Sequence, residues 1–198
     1  MFYSQAKQDE WVCKVLNNKK NGYFLDVGAY DGKESSNTLY LEEELGWTGI
    51  CVEPEPVAFQ KLKSIRKSIC IESAVLNYKG ECYFGQDTVT PFPNRIIVKC
   101  NTLNNILKEN NAPKNIDYLS IDIEGSEYTA LKDFNFYSWN INLITIEHNL
   151  YRDGYRNKNQ LFELLTSKGF ERVVDNAPDP RGLPYEDWYV SKRFLNII

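Results

Sequence analysis

The 198-residue chain has a single histidine, a single methionine and no long run of basic residues. Its 23 Lys and Arg stand against 27 Asp and Glu, for a formal charge of -4. No broad electrostatic attraction therefore draws it to phosphate backbones, and nucleic acid is disfavoured as the main partner. The five cysteines, Cys13, Cys51, Cys70, Cys82 and Cys100, are odd in number and never spaced C-x-x-C. That spacing suggests neither a disulfide framework nor a zinc site, and it fits a reducing cytoplasm. The opening MFYSQAKQDEWVCKVL lacks the unbroken apolar run of a signal peptide, and no segment approaches the length of a bilayer span. The expectation is a soluble protein without a membrane span. Repeats and low-complexity tails are also missing, as is G-x-G-x-x-G. The length suits one domain, residues 1–198, and is too short for two plus a linker.

What is present is a series of short apolar runs: YFLDVGA, GICVEP, SICIESAV, YLSIDIEG, NLITIEHN, FERVVDNA and DWYVSKRF, most of them separated by helical patterns. Strands alternating with helices predict a mostly parallel α/β sheet. SSNTLYLEEELG opens with N-cap residues and closes on Gly46, and PVAFQKLKSIRKS starts with proline, so both read as crossover helices. Only PDPRGLPYED joins the last two runs, and its Pro, Gly and Asp suit a hairpin return. The sheet is therefore expected to end with one antiparallel strand. LNYKGECYFGQDTVTPFPNRIIVKC, the least regular stretch, reads as a short hairpin followed by a loop.

In open α/β sheets ligands sit outside the carboxyl ends of the strands, so the polar residues closing each run are the candidates. They are mostly acidic: Asp26 and Asp31, then Glu53, then Asp122 and Glu124, then Glu147 with His148 and Asn149. FLDVGAYDG has the strand and glycine turn of a nucleotide-binding fold, yet it carries two aspartates where a pyrophosphate needs bare N–H groups. Those charges repel NAD, FAD and ATP. S-adenosylmethionine brings adenosine, a sulfonium and an ammonium but no phosphate, and acidic residues suit it. Gly28 and Gly32 would let the backbone approach such a ligand, or would simply make a tight strand-to-helix turn. Glu53 reads either as an acceptor for both ribose hydroxyls or as a solvated strand end.

Several segments together resemble the FkbM-type methyltransferases: YSQAKQDEWV, FLDVGAYDGKESSNTLYLEEELGWTGICVEPEP, ESAV, CNTLNNIL, IDYLSIDIEGSEYTALKDF and ITIEHN, in that order over nearly the whole chain. The resemblance implies a class I methyltransferase fold, a Rossmann-like seven-stranded α/β sheet, mostly parallel with one antiparallel C-terminal strand and helices on both faces. It implies S-adenosyl-L-methionine as donor and an oxygen acceptor, often a sugar hydroxyl. By position, Asp26, Gly28, Tyr30, Asp31 and Gly32 look like the first donor-binding loop, with Asn37 nearby. Glu53 looks like the ribose ligand, Ser73 and Ala74 would flank the adenine, and Gln5 would reach the donor from the N-terminal segment. Ala29 and Tyr30 depart from the G-x-G of many class I methyltransferases.

Methyl transfer to an alcohol needs in-line alignment and a destination for the proton, either a general base or a cation that has already lowered the hydroxyl's pKa. His148, closing the fifth run, is the natural base, against the alternative of a hydrogen-bonded structural histidine. Asp122 needs a partner at the end of an apolar strand, and Glu124 stands beside it. Asp122, Glu147 and Asn149 offer oxygens suited to Mg²⁺ or Mn²⁺. Glu127 reads as a helix-start residue. Among the aromatics Tyr151 is expected on the acceptor side, while Trp139, Tyr155, Tyr185 and Trp188 read as packing. DIEG stands where DNA amino-methyltransferases carry N/D-P-P-Y/F, so a base amine is not the expected acceptor. A glycan or other hydroxylated small molecule is, and the compact length suits work beside glycosyltransferases of the same pathway. A nucleotide-dependent oxidoreductase and a catalytically silent donor-binding module are the alternatives.

Overall fold

A computed structural model of the chain describes residues 1–85, 95–150 and 154–195. Helix α1 (Gln8–Val15) leads into β1 (Tyr23–Val27), α2 (Leu39–Leu45), β2 (Thr48–Glu53), α3 (Pro56–Ile65) and β3 (Ile69–Glu72). There follow β4 (Ala74–Val75), β5 (Gly80–Phe84), β6 (Ile96–Asn101), α4 (Leu103–Glu109), β7 (Asn115–Ile121), α5 (Glu127–Leu131) and β8 (Asn140–Glu147). The chain then forms α6 (Tyr155–Ser167), β9 (Phe170–Pro178), β10 (Pro184–Ser191) and α7 (Lys192–Leu195). The seven-stranded sheet has the order β3-β2-β1-β7-β8-β10-β9. Its strands run parallel except β10, which pairs antiparallel with both β8 and β9. The last strand in the chain is thus the antiparallel one, as expected, but it is inserted between β8 and β9 and the sheet ends on β9.

The central strands are buried along nearly their whole length, which is why they read as continuous apolar runs rather than alternating ones. Side-chain alternation divides the core. Leu25, Val27, Leu119 and Ile144 pack on one face with Leu103, Ile106, Leu161 and Leu165 of α4 and α6. Phe24, Cys51, Tyr118 and Leu143 pack on the other with Val12, Leu41, Phe59 and Leu62 of α1, α2 and α3. Burying each such side chain contributes roughly 1.5–3 kcal/mol.

The expected crossover helices are α2 and α3. Gly46 closes α2 in the left-handed region at φ 68°. Pro56 opens α3 behind Glu55, whose carboxylate accepts from the Ala58 N–H. Helix α2 begins only at Leu39, because the Ser36 hydroxyl accepts from the Thr38 and Leu39 N–H groups and Arg66 donates to Ser36 and Thr38. The SSN stretch is therefore loop, and it borders the site described next.

SICIESAV, expected as one strand, divides at Ser73 into β3 in the large sheet and β4 in a second sheet of order β4-β6-β5. Strands β5 and β6 pair antiparallel, with Cys82 opposite Val98, so β6 lies in the part expected as a loop after a short hairpin. PDPRGLPYED closes the β9–β10 hairpin around Asp179, which accepts from the Arg181 and Leu183 N–H groups at 2.8 and 3.0 Å.

Candidate active site

The carboxyl ends of β1, β2 and β7, with the β4–β6–β5 sheet beside them, enclose a cleft of about 960 Å³. Gly28 lines it. The Gly28 N–H donates to Val52 O at 2.9 Å, and the Asp122 N–H donates to Val27 O at 2.9 Å, so the end of β1 is laced to both neighbours. Gly28 has φ +88°, and a Cβ there would lie 1.8 Å from Asp122 O. Only glycine fits both constraints. Two residues on, Tyr30 at φ 48° turns its N–H to Glu53 Oε2 at 2.9 Å.

Glu53 is 5 % exposed and accepts a second N–H, from Glu55, at 2.8 Å. Burial raises its pKa and these two donors oppose the rise. Each oxygen keeps lone pairs for further donors, which is what a ribose diol supplies. Asp26 is buried too, its pKa raised by burial against the pull of Arg66 and of Thr38, which donates to it at 2.6 Å. Asn37 gives its amide to Ser120 Oγ at 2.9 Å and leaves a buried Oδ1 without a partner. Ser73, Ala74 and Gln5 line the cleft with these residues.

Asp31 and Gly32 lie outside that lining. Asp31 accepts from the Lys33 and Glu34 N–H groups at 2.9 and 2.8 Å and so closes its own turn. At Gly32, with φ +81°, a Cβ would lie 2.8 Å from Leu62 Cδ1, so this glycine lets the loop pack on α3.

Asp26, Glu34, Glu53, Glu55, Asp122 and Glu124 line the cleft, and no Lys or Arg among the described residues does. Such a wall repels phosphate and attracts cationic groups.

Beyond Gly28, one oxygen each of Asp122, Glu124 and Glu147 lie within 4.8 Å of one another. Glu147 is 2 % exposed and its Oε2 has no partner. Burial first, then the charge of Asp122 and a hydrogen bond shared with it, lift the Glu147 pKa far above the usual carboxylate range. Burial and the Asp122 charge both favour the protonated form of Glu147. The turn between β7 and α5 is fixed by Glu127, fully buried, which accepts from the Ile123 and Gly125 N–H groups at 3.2 and 2.9 Å and from Asn157 at 2.9 Å.

Tyr185, expected only as packing, also belongs to this group: its hydroxyl donates to Asp122 Oδ2 and accepts from Gln5 Nε2 at 2.6 Å. These partners are 63 and 180 residues away in sequence, so no local pattern could have singled it out.

His148 is placed differently from the expectation of a general base. It is 1 % exposed and does not line the cleft. Its Nδ1 accepts from the Leu150 N–H at 3.2 Å, and its Nε2 lies 3.3 Å from Asp187 Oδ1, near enough for an ion pair but not aligned as a hydrogen bond. Asp187 also takes Lys158 and Arg172, each at 2.9 Å. Burial works against the charge on Asp187, but His148, the Asn176 N–H and Lys158 outweigh it and hold the pKa well below the usual range. Among the described residues, these contacts fit the structural alternative, with His148 outside the cleft lining. Asn149 is fully buried at φ 49°, outside the cleft lining, with neither side-chain heteroatom hydrogen-bonded. Trp188 packs on Trp11, ring centres 5.0 Å apart. Tyr151 lies outside the described residues.

The sequence model of the methyltransferase FkbM domain matches residues 26–172. Among solved structures, the fold is similar to an O-methyltransferase from Bacillus cereus in complex with S-adenosylhomocysteine, with a TM-score of 0.61, 11 % identity, and coverage of 96 % of this chain and 83 % of that one. It is similar to cofactor-bound Rv0187 from MTB, with a TM-score of 0.60, 10 % identity, and coverage of 94 % and 80 %. The METTL16 methyltransferase domain gives a TM-score of 0.57 at 15 % identity, and there this chain covers 65 % of the other while 92 % of its own length is matched. At these identities the likeness is one of fold. No curated protein sequence matches the chain significantly.

Proposed function

From a chain that belongs to the FkbM methyltransferase family, we propose an S-adenosylmethionine-dependent O-methyltransferase acting on a hydroxyl of a sugar, glycan or similar polyhydroxylated molecule. The observation that carries the reading is the cleft itself, lined by six carboxylates and no Lys or Arg among the described residues, with Glu53 holding spare acceptor capacity beside the Gly28 turn. S-adenosylmethionine, when bound, supplies an electrophilic methyl group on a sulfonium. Glu53 would take its ribose hydroxyls, Asn37 Oδ1 offers an unpaired acceptor, and Ser73 and Ala74 would border its adenine. Gly28 lets the β1 turn approach closely, and the acidic wall favours the positive donor over its neutral product.

At the β7 end, burial and the neighbouring Asp122 raise the pKa of Glu147, and the two carboxyls share a hydrogen bond. Asp122, which lines the cleft, would accept the acceptor's hydroxyl proton, the part expected of His148. Asp122, Glu124 and Glu147 also form the donor set that Mg²⁺ or Mn²⁺ prefers, and such an ion would acidify a hydroxyl bound to it. A glycan acceptor, glycosyltransferases as neighbours, a cytoplasmic location and operation of residues 1–198 as one domain complete the proposal. Among the described residues no helix is long and apolar enough to cross a membrane.

The test is a thermal-shift and calorimetric comparison of S-adenosylmethionine, S-adenosylhomocysteine and NAD at matched concentrations. Stabilisation of about 2.7 kcal/mol is expected at a hundredfold excess over Kd for the first two, and none for NAD. Stabilisation by NAD alone would overturn the reading in favour of an oxidoreductase. Donor binding with no transfer of labelled methyl to any acceptor from a glycan library would favour the silent module.

A further inference from the structure

The residues ahead of α1 form no regular element, yet they are fastened at several points. The Asp9 carboxylate accepts from the Tyr3 N–H at 2.7 Å and from Ser4 Oγ at 2.5 Å. The Tyr3 hydroxyl donates to Glu43 at 2.8 Å. Nearest the cleft, Gln5 Nε2 donates to the Tyr185 hydroxyl.

Tyr185 is 5 % exposed, and its carbonyl accepts from the His148 N–H at 3.1 Å, which holds the start of β10 against the end of β8. A phenol has one proton to give. Because the hydroxyl accepts from Gln5, that proton goes to Asp122. Gln5 and Asp122 line the cleft and Tyr185 does not, so whatever Tyr185 does there it does through these two side chains.

We propose that Tyr185 is a positioning residue that joins the N-terminal segment to the carboxylate end of the cleft through the Gln5–Tyr185–Asp122 chain, so that seating Gln5 on the donor and orienting Asp122 become one event. The proposal rests on the donor reading above. With Gln5 held by a buried hydroxyl, the segment is organised before the donor arrives and less ordering is left to binding. With the phenol hydrogen donated to Asp122 Oδ2, the orientation of the Asp122 carboxylate is tied to Tyr185.

The experiment is a double-mutant cycle read by calorimetric titration with S-adenosylhomocysteine, which needs no acceptor. Gln5→Ala and Tyr185→Phe should each weaken binding by about three- to tenfold, the range of one neutral hydrogen bond. The double variant should be no more than about twofold weaker than the weaker single variant, since the two changes break one connection. Tyr185→Phe keeps the ring, and its melting temperature without ligand reports any loosening of the fold. A merely structural hydroxyl would change that temperature and leave the Gln5→Ala effect intact, giving multiplicative losses.

Multiplicative losses, or wild-type affinity in Tyr185→Phe, would overturn the proposal while leaving the donor reading in place. Failure of the wild type to bind S-adenosylhomocysteine would overturn both. If Tyr185→Phe does not fold, the cycle is run between Gln5→Ala and Asp122→Asn, which sit at the two ends of the chain. Non-additive losses there support the connection, and additive losses remove it.

Discussion

The two halves of the cleft solve the same electrostatic problem in different ways. In the half built from β1 and β2, each buried carboxylate is matched individually. Asp26 has Thr38 and Arg66, and Glu53 has the N–H groups of Tyr30 and Glu55. At the other end, where β7 meets β8 and β10, three carboxylates crowd within 4.8 Å, with a hydrogen bond between Glu147 and Asp122 and another from the Tyr185 hydroxyl. The donors to Asp26 and Glu53 support their charged forms against the rise that burial causes, which suits the first half to binding. The second half is short of positive charge and suited to taking a proton or a cation.

That difference is broken most severely at Asp122. Asp122→Asn should lower methyl transfer by about 10²- to 10⁴-fold, the usual worth of a general base, while S-adenosylhomocysteine affinity moves by less than about tenfold. His148→Asn is the companion measurement. Buried between the Leu150 N–H and Asp187, it should lose stability and keep turnover per folded molecule within about tenfold of wild type. A loss at His148 as large as that at Asp122, with unchanged stability, would return the base to His148.

The seam between the halves comes next. Gly28→Ala places a methyl group against Asp122 O at φ +88°, so it combines a left-handed backbone penalty with overpacking against main chain. A loss of roughly 2–5 kcal/mol is expected, visible as a lower urea midpoint. A stable variant with normal donor binding would show that β1 and β7 can separate there at little cost.

The binding half responds more mildly. Glu53→Ala should weaken S-adenosylhomocysteine by about ten- to a hundredfold, the loss of charged hydrogen bonds, and should leave turnover at saturating donor close to wild type. Unchanged affinity with slow turnover would remove the ribose role.

The same contrast explains what the sequence could disclose. Asp26, Gly28, Tyr30 and Glu53 fall within a stretch whose spacing is set by a strand, a turn, a helix and a strand, so the backbone alone brings them together. The alternation of apolar runs likewise carried the sheet, the crossover helices and the reversed last strand. Tyr185 could not be found this way, because it meets Gln5 and Asp122 only after β10 is inserted next to β8. His148 was misplaced for the opposite reason. A polar residue ending a strand was expected at the cleft, but its ring is taken up by Asp187, whose position depends on Lys158 and Arg172 of distant elements. The turn at Asp31 and Gly32 looked like ligand-binding loop because a tight turn and a binding turn need the same residues.

Two adjacent residues of β10 give the smallest and most precise version of the comparison. Asp187, surrounded by cations, has its pKa held below 3.8. Glu186, 2 % exposed, is raised from 4.5 to about 8, chiefly by burial, although the Trp188 and Gln8 side chains oppose the rise. Between those values the folded chain keeps a proton on Glu186 that the unfolded chain has lost. The stabilisation linked to Glu186 is therefore fully present below pH 4.5 and is lost as pH rises toward 8. Asp187 acts in reverse, its contribution present above pH 3.8 and lost on further acidification. One proton corresponds to a slope of at most about 1.4 kcal/mol per pH unit. Urea unfolding followed from pH 5 to 8 should show stability falling, and Glu186→Gln should make the fall shallower by up to that slope while leaving the acid limb intact. Asp187→Asn should instead remove part of the acid limb and lower stability throughout, since it strips the charge that Lys158 and Arg172 share. If Glu186→Gln leaves the alkaline slope unchanged, Glu186 ionises normally in the folded chain, and the fall belongs to the crowded carboxylates around Glu147.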